Sequence, residues 1–411
     1  MKVDLLIVGA GPAGMAAALA AAPSGARIAI VDDNPAAGGQ IWRDGPQAHL
    51  PAQARAYRQQ LEALANVEWL PCTRVVALAG PKALLLEDPT RGWIIHYNKL
   101  ILCTGARELL LPFPGWTLPG VTGAGGLQAL IKGGLPVAGE RIVVAGSGPL
   151  LLASAATAQD NGAQVLNIAE QAHWSAVAGF AAQLPRWPGK LLQACTLFHL
   201  GYRANSHVVE ALGDGHLQAV RLSIGGRIRE VACDRLACGF GLIANLQLGQ
   251  ALGCRIELNA LAVDDWQATS LADHYAAGES TGFGGSEKAL VEGAIAGHAA
   301  VGEHDAARRL WPRRQHWQGF AKALNAAFAL RDEVKHLARP ETLLCRCEDV
   351  PLAAVRDQAG WSQAKMASRC GMGACQGRVC AAAAQVLFDW PQPAPRSPLS
   401  PARIDTLLHL Q

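Results

Sequence analysis

Cys345, Cys347, Cys375 and Cys380 are the side chains whose type and spacing most plainly imply chemistry. The first two form a tight Cys-x-Cys pair in the segment LCRCEDV, and the last two are spaced Cys-x4-Cys in the glycine-rich segment CGMGACQGRVC. Four thiolates can hold a [2Fe–2S] centre, and the backbone N–H groups of a glycine-rich loop stabilise its negative sulfurs. Zinc sites space the cysteines of a pair by about two to four residues, so Cys-x-Cys is the poorer match to zinc. Cys370 heads the same segment, but the Gly-Met-Gly-Ala-Cys-Gln-Gly loop favours Cys375 as ligand and leaves Cys370 the weaker candidate. Arg378 is placed either to donate toward such a cluster or to cap a helix.

The second chemical signature lies at the N-terminus. Gly9, Gly11 and Gly14, in the run Gly9-Ala10-Gly11-Pro12-Ala13-Gly14, follow the apolar stretch Val3 to Val8 and precede Met15 to Ala22. A strand, a glycine turn and a helix in that order bind a pyrophosphate. The first glycine permits the turn, the second lets backbone approach the phosphates, and the third lets the helix pack on the strand. The helix N-terminus then faces the phosphate charge. A following strand, Arg27 to Val31, runs into Asp32 and Asp33, and Asp32 is positioned to accept a ribose hydroxyl.

Companion segments favour FAD over NAD. Gly39 and Gln40, in Gly38-Gly39-Gln40-Ile41-Trp42, come where flavoproteins run backbone along the isoalloxazine. Thr104 and Gly105 close the strand Lys99 to Ala106, expected to pass beneath the FAD. Gly278-Glu279 would bring a carboxylate to the ribityl chain, and the turn through Gly285 opens a helix toward the flavin N1/O2 edge. Negative charge collects there on reduction, so a helix N-terminus suits it. The predicted FAD-binding residues are thus Gly9, Gly11, Pro12, Ala13, Gly14, Asp32, Asp33, Gly39, Gln40, Thr104, Gly105, Gly278, Glu279 and Gly285.

The strand–turn–helix pattern returns at Arg141 to Ala145, with Gly146, Gly148, Pro149 and Leu150 in the turn and Glu170 after the next strand. Leu151 takes the place of the third glycine, so closer helix–strand packing is not expected there. An adenine nucleotide is the expected ligand of this second site. No Cys-x-x-Cys or Cys-x4-Cys follows directly on Gly39, so the redox disulfide of glutathione-reductase-type enzymes is absent there. Cys72, Cys103, Cys195, Cys233, Cys238 and Cys254 read as buried small hydrophobes, and the twelve histidines show no ligand spacing. Glu108 beside Arg107 reads as half of a local ion pair, and the sequence names no catalytic acid or base.

These sites need elements to hold them, and the chain of 411 residues is long enough for two or three domains with substantial cores. Half the residues are hydrophobic and 17% are charged, which excludes a disordered chain. A formal charge of +3 argues against nucleic acid or anionic membrane as partner, and the basic run Arg308 to Arg314, interleaved with tryptophans, reads as a packed, solvated connector. Eleven cysteines without a secretory leader fit a reducing, cytoplasmic compartment. No uninterrupted apolar run of about 20 residues occurs, so membrane association is expected only through partners. The fold class is α/β: two Rossmann-like, glutathione-reductase-type dinucleotide-binding domains plus a small helical [2Fe–2S] domain. The expected division is 1–120 with 236–303 for FAD, 121–235 for the second nucleotide, 304–339 for a helical connector, 340–390 for the cysteine domain and 391–411 for a proline-rich tail.

Three long motifs carry a resemblance. They are ARELLLPFPGWTLPGVTGAGGLQALIKGG with GERIVVAGSGPLLL, then GESTGFGGSEKALVEGAIAG, then the two cysteine segments. They resemble the larger flavin-binding α subunits of opine oxidases, hydrogen cyanide synthase and D-hydroxyproline dehydrogenases, over nearly the whole chain. The cysteine module is similar to [2Fe–2S] domains of the bacterioferritin-associated-ferredoxin type. The resemblance implies a heteromeric amino-acid or imino-acid dehydrogenase. In it a D-amino-acid-oxidase-like β subunit oxidises the substrate, FMN lies at a subunit interface, and a small ferredoxin-like γ subunit is sometimes present. The chain would then carry electrons toward a respiratory acceptor. A stand-alone NAD(P)H-dependent flavin/iron–sulfur reductase is the alternative. Ser286 and Lys288 stand where the family more usually has apolar residues, implying an altered surface beside the flavin.

Overall fold

The structure, a computed structural model, describes residues 1–391 and 393–410. The chain forms two compact units: Met1–Arg107 with Ala244–Lys322 and Ala394–Gln411, and Glu108–Ile243 with Ala323–Pro393.

The first unit is built on a seven-stranded sheet. Val67–Leu70, Ile28–Val31, Lys2–Val8 and Gly92–Leu102 lie side by side in that order and run parallel. Ala83–Glu87 and Arg74–Leu78 extend the sheet antiparallel, and His274–Ala276 pairs with the end of Gly92–Leu102. Ile28–Val31 is buried along its whole length, as a parallel strand covered on both faces must be. Two helices, Pro12–Ala21 and Gly285–Ala300, cover one face in near backbone contact. A Cβ on Gly293 would stand 2.1 Å from the Ala13 carbonyl oxygen, and one on Gly297 2.2 Å from that of Ala17. Helix Trp311–Ala327 begins in this unit, where Arg314 is buried and donates to Asp265 and where Arg308 lies over the rings of Trp266 and Trp311. Of the basic run, Arg314 is packed into protein, while Arg308, Arg309 and Arg313 stay exposed.

The second unit carries a fully parallel five-stranded sheet in the order Tyr202–Arg203, Gln164–Glu170, Arg141–Gly146, Arg235–Gly239, Val121–Gly123. Beside it, Ser206–Leu212, Ala219–Ile224 and Arg227–Ala232 form an antiparallel meander. Its second hairpin turns on Gly225-Gly226, both at positive φ, as a two-residue turn with matching twist requires. The cysteine module is part of this unit. Leu344, Cys345, Val355, Trp361, Cys380 and Ala382–Ala384 share one buried apolar cluster with Val143, Val208, Leu236 and Phe240.

The unit boundaries differ from the sequence-based division in three places. The 304–339 connector is shared, because its helix packs on the first unit to Lys322 and on the second from Ala323. The cysteine segment has no core separate from that of the second unit. Residues 394–410 are not a detached tail: Ile404–Leu407 is helical, the Leu399 N–H donates to Val76, and the Arg403 N–H donates to buried Glu87.

Candidate functional site

In the first unit the sequence builds a cradle around the N-terminus of Pro12–Ala21. Gly9 has φ +104°, and its Cβ would fall 2.1 Å from the Cys103 carbonyl oxygen, so only glycine fits between the strands here. Gly14 is pressed against Gly9, where a Cβ would stand 1.8 Å from the carbonyl oxygen. The helix starts with Pro at its first turn and has no side-chain cap, which leaves its N–H groups directed outward. Gly39, at φ +59°, folds back until its missing Cβ would meet the Gly11 Cα at 3.0 Å. The Gly38 N–H donates to Ala10 O at 2.8 Å and fixes that return. The result is a narrow, side-chain-free slot at a helix N-terminus, the shape a pyrophosphate needs.

Asp32 sits at the rim of the slot. One carboxylate oxygen accepts the Ala10 N–H at 2.6 Å, and the other accepts the Asn34 N–H and amide at 2.9 and 2.7 Å. Asp33 stands beside it, its carboxyl pushed up by desolvation and then by the Asp32 charge, while Arg43 and Arg74 pull it down. Gln40 accepts from Arg43 at 2.7 Å, and the Arg43 Nε is buried without a protein partner. A buried guanidinium nitrogen left unpaired beside an anion-shaped slot fits a phosphate-bearing cofactor. Sequence reasoning missed Arg43 and Asn34. The signal was present in their placement, three residues after Gln40 and two after Asp32.

The remaining FAD-type residues come from later strands. Thr104 and Asn245 exchange two hydrogen bonds, the Thr104 Oγ1 donating at 2.7 Å and the Asn245 Nδ2 donating at 2.9 Å. Arg107 donates to the Asn245 Oδ1 at 2.9 Å. Gly278, at φ +81°, has its missing Cβ 2.9 Å from the Ala13 Cβ, which brings the Gly278-Glu279 turn onto the first helix. Buried Glu292 locks that turn. It accepts from the Gly278 N–H at 3.1 Å, the Thr281 hydroxyl at 3.0 Å and the Lys288 Nζ at 2.7 and 2.8 Å. Lys288 also donates to Gly282 O at 3.0 Å. Lys288 is therefore an internal brace and not, as its sequence position suggested, part of an altered surface. A lysine four residues before a glutamate on one helix was the overlooked clue. The Glu279 carboxyl is pushed up by burial, partly offset by the Lys288 charge.

In the second unit Gly146 (φ +143°), Gly148 (φ +90°), Pro149 and Leu150 form the expected turn, and Glu170 stands below it. Glu170 accepts from the Gly148 N–H at 2.7 Å and the Ala172 N–H at 2.8 Å, with no exposed surface. Burial pushes its carboxyl up to about 7. Leu151 does not loosen the helix–strand contact. Gly239 on the neighbouring strand has no Cβ, and the Leu151 side chain fills that space, since a Cβ there would stand 3.3 Å from it. The turn is strapped from above. Ser147 Oγ donates to Phe328 O at 2.8 Å, Gln171 Nε2 donates to Ser147 Oγ and Ala329 O at 3.0 Å each, and the Arg331 N–H returns to Gln171 at 2.9 Å. Phe328 stands near this turn: a Cβ added to Gly148 would lie 3.8 Å from its ring.

Glu108 also belongs to the second unit. Its two carboxylate oxygens accept the Gly125 and Gly126 N–H groups at 2.7 and 2.9 Å, so it caps the helix Ala124–Lys132. This cap replaces the simple ion-pair role read from its neighbour. Among the scattered cysteines, Cys103, Cys233, Cys238 and Cys254 are buried, but Cys195 is exposed and Cys72 half-buried at φ +50°. The small-hydrophobe reading does not hold for those two.

The thiols near the C-terminus gather on one loop system. Cys345 ends the strand Leu343–Cys345, which pairs with Val350–Pro351, and Cys380 opens the helix Cys380–Phe388. Buried Cys345, Cys370 and Cys380 bring their sulfurs within 4.8 Å of one another. Cys347 and Cys375 form a second pair, more exposed, with their sulfurs in mutual contact. Backbone donors converge on these sulfurs. The Gly371 N–H meets Cys345 Sγ at 3.4 Å, the Cys375 N–H turns to Cys347, and the Gly377, Arg378 and Val379 N–H groups turn to Cys375. Burial acts to raise the Cys375 thiol, and the Val379 N–H, the Cys347 thiol and the Gly377 and Arg378 N–H groups together outweigh it, leaving it below the ordinary thiol value. The loop can come this close because Gly371 and Gly377, both at φ +80°, pass the Trp361 ring, and Gly373 passes Cys347. A nest of N–H groups around clustered thiols fits a metal–sulfur centre. The structure thus gathers the predicted Cys345 and Cys380 with Cys370 in one buried group, and pairs Cys347 with Cys375 beside the same loops.

Such a cradle with a second dinucleotide fold defines an oxidoreductase of the glutathione-reductase architecture. Residues 3–301 match the pyridine nucleotide-disulphide oxidoreductase family. The chain is 31% identical to an opine oxidase subunit of Agrobacterium tumefaciens (strain Ach5), over 99% of this chain and 92% of that protein. It is 32% identical to the hydrogen cyanide synthase subunit HcnB of Pseudomonas aeruginosa, over 92% of this chain and 91% of that protein. Among solved structures, L-proline dehydrogenase from P. horikoshii superposes with a TM-score of 0.71 at 18% identity, covering 99% of this chain and 79% of that one. The chain belongs to the pyridine nucleotide-disulphide oxidoreductases and, among them, to the family that holds these opine oxidase and HcnB subunits.

Proposed function

We propose that this chain is the FAD- and [2Fe–2S]-carrying electron-transfer subunit of a heteromeric amino-acid or imino-acid dehydrogenase. The observation that carries the reading is the presence, in one chain of a family of oxidase subunits, of both a pyrophosphate-shaped slot and a nest of clustered thiols. When bound, FAD exchanges electron pairs and the cluster single electrons. The protein's part is to hold them. Gly9, Gly11, Gly14, Asp32, Gly39 and Arg43 would take the adenosine and phosphate end, and the Gly278–Gly285 turn, braced by Glu292 and Lys288, would take the other. Cys345, Cys347, Cys375 and Cys380 would ligate the cluster. The C–N bond of the substrate is oxidised by a D-amino-acid-oxidase-like partner, with FMN at the subunit interface and, as a further partner, a small ferredoxin-like protein. No helix among the described residues is long and apolar enough to cross a membrane, which suits contact with a respiratory acceptor through partners.

The alternative, direct reduction by NAD(P)H at the second dinucleotide fold, is disfavoured by the Phe328–Arg331 strap over the Gly146–Leu150 turn. One anaerobic experiment on the purified chain separates the two. The expected result is one flavin with two irons and two sulfides per chain, no bleaching by NADH, and less than about a hundredth of the amine oxidation seen once the partner is added. Strong oxidation of D-hydroxyproline or an opine by the chain alone overturns the division of labour. Fast bleaching by NADH at micromolar concentration transfers the function to the reductase reading.

A further inference from the structure

We propose that Cys370 is a reserve ligand of the metal–sulfur site, able to replace Cys380 or Cys345 on iron. The inference rests on the cluster reading above. Four of the five neighbouring cysteines suffice for a [2Fe–2S] centre. They divide unevenly. Cys347 and Cys375 form the more exposed pair, whereas the buried side holds three thiols, Cys345, Cys370 and Cys380, mutually within 4.8 Å. Iron–thiolate bonds are a little over 2 Å long, so sulfurs that close together can reach the same ion with only side-chain rotation.

The position of Cys370 is held from both sides. Arg369 before it adopts φ +67° and donates to Glu348 at 2.9 Å, and Gly371 after it adopts φ +80°. The Gly371 N–H already points at Cys345 Sγ, and any Cβ on Gly371 would strike the Trp361 ring at 2.5 Å. The backbone that aims this donor at a ligand therefore also aims the Cys370 thiol into the same pocket, where it is completely buried. A buried thiol beside iron ligands, with no other metal to serve, is placed for exchange. In that exchange the bond from iron to Cys380 sulfur breaks and one to Cys370 sulfur forms. Cys370 gives up its thiol proton, Cys380 takes one, and no electron is gained or lost.

The test counts iron and sulfide and records the reduced-state EPR spectrum for wild type, Cys370→Ala, Cys380→Ala, Cys375→Ala and Cys370→Ala/Cys380→Ala. Full flavin content and wild-type circular dichroism identify folded material. The expected result is wild-type iron in Cys370→Ala and at least half of it in Cys380→Ala, with shifted g values. The double variant and Cys375→Ala should keep less than about a tenth. Cys380→Ser, nearly isosteric and safer for folding, should give the spectrum of Cys380→Ala, because Cys370 and not the serine oxygen fills the place. Loss of iron from Cys380→Ala or Cys380→Ser as complete as from Cys375→Ala overturns the proposal, as does an oxygen-ligated spectrum in Cys380→Ser. A wild type without iron instead sinks the functional reading on which it stands.

Discussion

Glu170 is a buried carboxyl whose two hydrogen bonds favour the charged form, yet burial wins and holds it at about 7 against an ordinary value of 4.5. The sign of its effect on stability follows. The folded state binds this proton more tightly than the unfolded chain, so the stabilisation is complete below about pH 4.5 and is lost as pH rises through 7. The shift is equivalent to something on the order of 3 kcal/mol. Unfolding of wild type and Glu170→Gln at a series of pH values should show the stability difference between them changing by that order between pH 5 and 8, with wild type losing ground as pH rises. A difference independent of pH refutes it. The sequence exposed residues of this kind unevenly. Gly9, Gly11, Gly14 and Asp32 stand in a pattern fixed by the phosphate they would serve. Asn34 and Arg43 stand only two and three residues from their partners Asp32 and Gln40, and Glu292 braces Lys288 one turn along a helix, but no motif singles out those short spacings. Cys370 was legible as a cysteine, but its distance from Cys345 depends on how two loops pack.

At the scale of elements, Pro12–Ala21 and Gly285–Ala300, the two helices whose N-termini frame the flavin-type site, pack in near backbone contact. Gly293 and Gly297 face Ala13 and Ala17 so closely that a single methyl group cannot be admitted without moving backbone. Gly293→Ala should force the helices apart, costing about 3 kcal/mol and lowering bound flavin at least tenfold in folded protein. Ala294→Leu, on the half-exposed face of the same helix, should retain flavin, and equal retention by both variants would refute the packing argument. The helices and core strands were readable because apolar runs between glycine turns have one period and one covering face. The meander of Ser206–Leu212, Ala219–Ile224 and Arg227–Ala232 was only partly readable. Its last strand is mostly exposed and rich in Arg and Glu, so the apolar alternation that marks a strand is missing. The strap at Phe328–Arg331 had no signature, since it closes the turn through Ser147 and Gln171, more than 150 residues away in sequence.

For the whole molecule, the division into units predicts which part of the protein each cofactor stabilises. The flavin-type residues all lie in Met1–Arg107 and Ala244–Lys322, and the clustered thiols all lie in Ala323–Pro393. Cys345, Cys370 and Cys380 are inside the same apolar core as Val143, Leu236 and Phe240, which belong to the second unit with its parallel sheet. A ligand that binds only the folded form stabilises whatever folds with it, so iron held by these thiols should support that sheet as well as its own loop. Removing iron and sulfide with a chelator should therefore lower the calorimetric transition of the second unit by about 5 °C or more, given roughly 2–4 °C per kcal/mol for a domain of this size. The temperature of flavin release, which reports the first unit, should move by less than about 2 °C in the same material. If the cysteine segment were an autonomous module, as the sequence-based division has it, iron removal would melt that segment alone and leave the main transition unmoved. Hydrogen exchange at Arg141–Gly146 and Arg235–Gly239 decides between these outcomes. Faster exchange in the iron-free protein ties the sheet to the thiol site, and unchanged exchange separates them.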